Sequence, residues 1–300
     1  MFYHLLQHPG IAELYHNSSA IGRKEIRFFD RTVAVYRPDI KFYLANFPRF
    51  NQDIHNEETL SGEATPNYLH HSHAAQRIKD MFPDMKLVVM LRNPIDRAYS
   101  HFNHALTIEN KLTLPYSGGN TFETLIEAEM KMLKVCEQHL MRSWADLMQC
   151  VQPLMANMTR ELQIPKIGKS GGMVWLLQMI SRGLYAPQLQ NYLQHFKANQ
   201  IMVVQSEEFY KDTVQVLRRV EKFLGLKQYP GWDKDSDEVK KIFNFGVKNT
   251  VYERGAAGMA YASGSMSLET HKALSAFFRP FNDRLRDMFE NAQTFKTWDN

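Results

Sequence analysis

The sequence predicts an α/β fold: a doubly wound sheet of mainly parallel strands flanked by helices, in a single domain over residues 1–300. Two observations predict it. Short, nearly continuous apolar runs rich in β-branched residues, KLVVML at 86–91 and IMVV at 201–204, look like strands covered on both faces. Longer stretches with apolar residues at helical spacing lie between them, so strands and helices alternate along the chain.

Taken in order, residues 26–29 (IRFF) are an apolar run expected to form the first buried strand, and residues 73–82 read as a helix. After the strand at 86–91, Asn93-Pro94 makes a turn and Asp96 opens a helix. Residues 121–149 read as one helical stretch. Residues 185–197 form another, with Leu189, Tyr192, Leu193 and Phe196 on one face. A helix over 212–224 carries Val216, Leu217, Val220, Phe223 and Leu224. The last, over 268–290, carries Leu274, Phe277, Phe278, Leu285 and Phe289. Repeats, low-complexity tracts and Pro/Gly-rich linkers are absent from the sequence, which favours one domain.

Composition sets limits. With 300 residues, 44% hydrophobic and 23% charged, the chain can bury a large core, and disorder is excluded as its general state. The net charge of +4 suits an anionic small molecule or polyanionic acceptor but is too small for a nucleic-acid-binding stripe. No run approaches the ~18 apolar residues of a membrane helix, so no membrane contact is expected from this segment. Cys136 and Cys150 permit one disulfide in an oxidising compartment and equally suit two free thiols in a reducing one. His70, His71 and His73 read as a solvated loop and helix start, and no metal site is expected.

The most informative string is KLVVMLRNPIDRAYSHF, residues 86–102. Arg92 leaves the carboxyl end of a strand and Ser100 lies two turns into the following helix. A guanidinium and a hydroxyl so disposed suit a phosphate through charge-assisted hydrogen bonds. For an isolated Arg-Asn-Pro the plainer reading, a salt bridge and an exposed hydroxyl, would stand.

The whole string resembles the 3'-phosphate-binding motif of sulfotransferases that use 3'-phosphoadenosine 5'-phosphosulfate (PAPS). The segment KEIRFFD at 24–30 resembles the KE-x-x-FFD of the heparan sulfate-type branch, and SGEATPNYL at 61–69 resembles its GE-K-T/S-P-x-Y. RGLYAPQLQNYLQHF with IMVVQSEEFYKD, over 182–212, resembles the helix and strand that support the cofactor site. The resemblance implies a P-loop-like sulfotransferase fold and an enzyme that moves a sulfuryl group from PAPS to a hydroxyl of a glycosaminoglycan-like oligo- or polysaccharide, releasing 3',5'-ADP. Glu25 would be the catalytic base, and Asp30 would orient the acceptor. Arg92 and Ser100 would hold the 3'-phosphate, with Tyr185, Phe245, Arg254 and Gly255 as further cofactor contacts. Arg27 and Glu63 would meet the acceptor. A Golgi-lumen location is implied by the same resemblance.

Three departures from the pattern stand out. The strand and K-x-G-T-[ST] loop that precede the HP helix in the family are expected to be missing, since Met1 falls inside that helix. Ala64 stands where the branch carries a lysine. The late cofactor loop reads YERGAAG at 252–258, without nearby cysteines. An alternative function follows: a catalytically inactive homologue that binds nucleotide, glycan or protein. A kinase-like reading is disfavoured because no Walker lysine or Mg-binding aspartate can be assigned.

Overall fold

The computed structural model describes residues 1–14, 24–32, 34–49, 59–112, 119–164, 177–233, 239, 266–289 and 298. Its strands are β1 (Ile11–Ala12), β2 (Leu60–Ser61), β3 (Leu87–Leu91) and β4 (Ile201–Gln205). The helices are α1 (Phe2–Leu5), α2 (Ile40–Leu44), α3 (Ala74–Met81), α4 (Pro94–Leu112), α5 (Phe122–Val135) and α6 (Glu137–Leu140). They continue as α7 (Trp144–Glu161), α8 (Tyr185–Leu193), α9 (Ser206–Lys211), α10 (Thr213–Leu224) and α11 (Leu268–Met288). The architecture is α/β. Strands β1 and β2 pair in parallel, Ile11 opposite Leu60 and Ala12 opposite Ser61, and β3 pairs with β4. The chain divides into two compact units, Met1–Met90 with His195–Ala257 and Leu91–Gln194 with Gly258–Asn300.

In the first unit, α10 forms because Val216, Leu217 and Val220 recur on one face, and that face is buried with Val204 of β4, Phe209 and Trp232. Asp212 caps it by accepting the Gln215 N–H, and Gly225 ends it at φ +83°, a left-handed conformation that costs glycine little. His73 precedes α3 directly, and His70, expected in a solvated loop, is 7% exposed.

The run at 26–29 is not a strand. Arg27 has φ +53°, which breaks an extended conformation, and the amides of Ile26, Arg27 and Phe28 donate to side chains rather than to a neighbouring strand. Phe28 and Phe29 are nonetheless buried, as their apolarity predicts, within an aromatic cluster with Tyr43 and Tyr68.

The core of the second unit joins α4, α5, α7 and α11 through residues such as Phe102, Leu125, Leu147, Val151 and Phe278. The expected helix over 121–149 is broken into α5, α6 and α7. Ser143 starts α7 by accepting the Asp146 N–H, as Thr121 starts α5 by accepting that of Thr124. A disulfide links Cys136, which ends α5, to Cys150 within α7, with Cα atoms 6.0 Å apart.

Candidate active site

In the first unit the candidate residues gather on the segment 24–30. Glu25 is 14% exposed at its side chain; its carboxylate lies 3.7 Å from Lys24 Nζ and 3.5 Å from Arg27 Nε. The Arg27 side chain is 53% exposed. Asp30 accepts a hydrogen bond from Asn67 Nδ2 at 3.1 Å.

What holds this segment is the stretch 63–68. Glu63 Oε2 accepts from the Ile26 N–H at 3.1 Å and from the Thr65 hydroxyl at 2.5 Å. Its Oε1 accepts from the Tyr68 hydroxyl at 2.5 Å and the Tyr43 hydroxyl at 3.4 Å. Thr65 Oγ1 in turn accepts the Arg27 N–H at 3.1 Å, and the Tyr68 oxygen accepts the Phe28 N–H at 3.0 Å. Burial pushes the Glu63 carboxyl up from the usual range, opposed by its hydrogen bonds to Thr65, Tyr68, Ile26 and Tyr43. A sugar contact through Glu63 would have to displace these protein donors.

In the second unit, Asn93 Oδ1 accepts the Ile95 N–H at 2.9 Å and so starts α4 at Pro94, where a missing N–H costs nothing. Along one face of α4 come Arg97, Ser100, His101 and His104, which line a shallow pocket of about 310 Å³ together with Arg182. The Arg97 guanidinium donates to the Met179 carbonyl, while its Nε is buried and has no partner among the described residues. Burial lowers the Arg97 pKa, and the Tyr185 hydroxyl and the Glu129 carboxylate work against that. Burial, then the charges of Arg97 and Arg182, hold His101 well below its ordinary value, so it enters as a neutral ring.

Arg92 is tied to this region through its backbone, since Tyr185 donates its hydroxyl proton to the Arg92 carbonyl at 2.9 Å. Arg182 is positioned by a buried carboxylate. Glu129 accepts the Ile180 N–H at 2.7 Å and the Ser181 N–H at 2.8 Å. Gly183 then lets the chain pass where a Cβ would meet Pro94 Cβ at 2.9 Å and the Phe278 ring at 3.0 Å.

The structure thus brings Glu25, Arg27 and Asp30 onto one segment with Glu63 behind it, and Ser100 into a basic pocket. Phe245, Arg254 and Gly255 lie outside the described residues. The sequence reading did not single out Arg97, His101, His104, Arg182 or Glu129. The helical spacing 97-100-101-104 was a usable signal for the first three, and for Glu129 the signal was a glutamate set among Leu125, Met132 and Leu133 on the buried face of α5. Among the described residues no group of three or more His, Cys, Asp or Glu side chains could hold a metal ion.

A family model described as "Sulfotransferase domain" matches residues 23–250. The chain belongs to the sulfotransferase family. It is 26% identical over 274 residues to mouse heparan sulfate glucosamine 3-O-sulfotransferase 3A1, covering 88% of this chain and 54% of that protein. It is 25% identical over 307 residues to mouse bifunctional heparan sulfate N-deacetylase/N-sulfotransferase 1, covering 99% of this chain and 29% of that one. It therefore spans about half or less of the length of these curated relatives. Among solved structures, a sulfotransferase from Alicyclobacillus acidocaldarius superposes with a TM-score of 0.54 at 25% identity, over 95% of this chain and 87% of that one. The sulfotransferase match runs from the Glu25 segment past β4, so both groups of site residues lie within it.

Proposed function

We propose that this sulfotransferase domain transfers a sulfuryl group from PAPS to a hydroxyl of a glycosaminoglycan-like polysaccharide. The observation that carries the proposal is Glu25, 14% exposed and salt-bridged to Lys24 and Arg27, on a segment whose backbone is fixed by hydrogen bonds from outside it.

The residues fit the group that the chemistry requires. Two guanidinium groups, a hydroxyl and two imidazoles line one pocket, and a buried Arg97 Nε lacks a partner among the described residues, a donor set suited to phosphate oxygens. PAPS, when bound, supplies the sulfuryl group and leaves as 3',5'-ADP. Ser100, Arg97 and Arg182 would hold the 3'-phosphate, with Arg92 alongside and Tyr185 fixing the Arg92 backbone. Glu25 takes the proton of the acceptor hydroxyl, general base catalysis of the kind that contributes about 10²–10⁴ in rate. Arg27, largely exposed, would meet an anionic group on the acceptor, and Asp30, oriented by Asn67, would accept from a sugar hydroxyl.

The acceptor class rests on the heparan sulfate enzymes among the relatives. A Golgi-lumen setting is supported by the Cys136–Cys150 disulfide, which favours an oxidising compartment. No helix among the described residues is long and apolar enough to cross a membrane.

The test is transfer of radiolabelled sulfate from PAPS to heparan sulfate, with the Glu25→Gln protein beside the wild type. Label should pass to the polysaccharide and fall about 10²–10⁴-fold in the variant. A folded wild type that moves no label, or a variant as active as the wild type, would overturn the proposal.

A further inference from the structure

We infer that Glu63 is a positioning residue for the reaction: it fixes Glu25 through the backbone of residues 26–28 and does not touch the sugar. This rests on the reading of Glu25 as the base.

The geometry is one of a rigid splint. Ile26, the residue after Glu25, donates its N–H directly to Glu63 Oε2 at 3.1 Å. The next amide, of Arg27, donates to Thr65 Oγ1, and that hydroxyl donates to the same Glu63 oxygen at 2.5 Å. The third, of Phe28, donates to the Tyr68 oxygen, whose hydroxyl donates to Glu63 Oε1 at 2.5 Å. Three consecutive amides therefore converge on one carboxylate, the first directly and the others through one hydroxyl each. Tyr43 adds a fourth donor at 3.4 Å. An ionised carboxylate is acceptor-only, so the set is complete without a proton on Glu63.

The backbone explains why such a splint is needed. Arg27 sits at φ +53°, a conformation that a side chain longer than glycine's adopts at a cost of order 1–3 kcal/mol and keeps only when its surroundings impose it. That twist lies between Ile26 and Phe28, both buried, and it sends the Arg27 side chain outward while its Nε stays 3.5 Å from Glu25. Lys24 is held from the other side, its carbonyl accepting the Ala64 N–H at 2.7 Å. Glu25 is thus pinned before and after by the single stretch 63–65. Small displacements of a base are costly, about 10²-fold for roughly 1 Å.

The experiment measures sulfate transfer from PAPS for wild type, Glu25→Gln, Glu63→Gln, Thr65→Val and Thr65→Ser, with 3',5'-ADP affinity as a check on folding. Glu63→Gln turns one acceptor toward its donors into an NH₂ group and should lower kcat about 10–100-fold, with ADP affinity within about twofold of wild type. Thr65→Val, of the same shape without the relay hydroxyl, should lower kcat in the same way, and Thr65→Ser should recover most of that loss. Should Glu63→Gln not fold, the Thr65 pair decides. If Glu25→Gln abolishes transfer while Glu63→Gln and Thr65→Val keep wild-type kcat, or lose only acceptor KM, the inference fails and the base assignment survives. If Glu25→Gln is fully active, the base assignment itself is wrong, and the positioning role falls with it.

Discussion

Two glutamates, Glu63 half-buried and Glu129 buried, do similar work in the two units, and the contrast lies in what surrounds them. Glu63 receives one backbone amide and three hydroxyls, all neutral donors, and through them holds the segment of Glu25. Glu129 receives two backbone amides, of Ile180 and Ser181, and holds the segment of Arg182 with the Arg97 charge nearby. Burial raises both carboxyls, and Glu129 is pushed up to about 7 despite its amides and Arg97. Glu63, through relayed hydroxyls, sets the geometry of three amides, whereas Glu129 holds two amides directly; burial ties both carboxyls to pH, most clearly that of Glu129, in spite of the Arg97 guanidinium.

The contrast can be broken most severely at Glu129. Glu129→Ala leaves two buried amides unsatisfied and removes a counter-charge from Arg97, and should destabilise the protein by about 3–5 kcal/mol in denaturant unfolding. A loss below about 1 kcal/mol would mean that water replaces the carboxylate without difficulty.

The pH dependence sharpens it next. The Glu129 carboxyl goes from 4.5, its ordinary value, to about 7 in the folded protein, so the folded state holds its proton longer than the unfolded one. Its contribution to stability is therefore complete below about 4.5 and is lost as pH rises through about 7, on the order of 3 kcal/mol in all. Glu129→Gln, which does not titrate, should flatten the stability curve over that window. An unchanged slope would show that the glutamate is not protonated there.

The smallest effect is expected at Tyr68→Phe, which takes one donor from Glu63 and the acceptor from the Phe28 N–H, at about 1–3 kcal/mol by thermal or chemical unfolding. A neutral result would mean that the Phe28 amide finds another partner.

How far the sequence shows this contrast depends on the kind of pattern involved. Helices α3, α8, α10 and α11 were legible because their apolar faces repeat at helical spacing, and β3 and β4 because their runs are β-branched. The run at 26–29 looked the same and is not a strand. Its amides bond to Glu63, Thr65 and Tyr68, residues about forty positions away that local periodicity cannot see. Arg92 and Ser100 were singled out through a motif; Arg182 was not, because it reaches the α4 pocket only through the turn fixed by Glu129 and Gly183. Within 121–149 the start of α7 was written in Ser143, a capping residue hidden in an otherwise continuous apolar pattern, whereas the break between α5 and α6 falls at Cys136, which makes no side-chain cap.

On this reading the Glu25 region does chemistry and the Arg97–Arg182 region binds the nucleotide. Calorimetric titration of 3',5'-ADP into the wild type, Glu25→Gln and Arg182→Ala proteins tests it most directly. Equal affinity is expected for wild type and Glu25→Gln, and a loss of about tenfold or more for Arg182→Ala, as when a charged hydrogen bond to phosphate is removed. No binding by the folded wild type, or a Glu25→Gln protein weakened as much as Arg182→Ala, would contradict it.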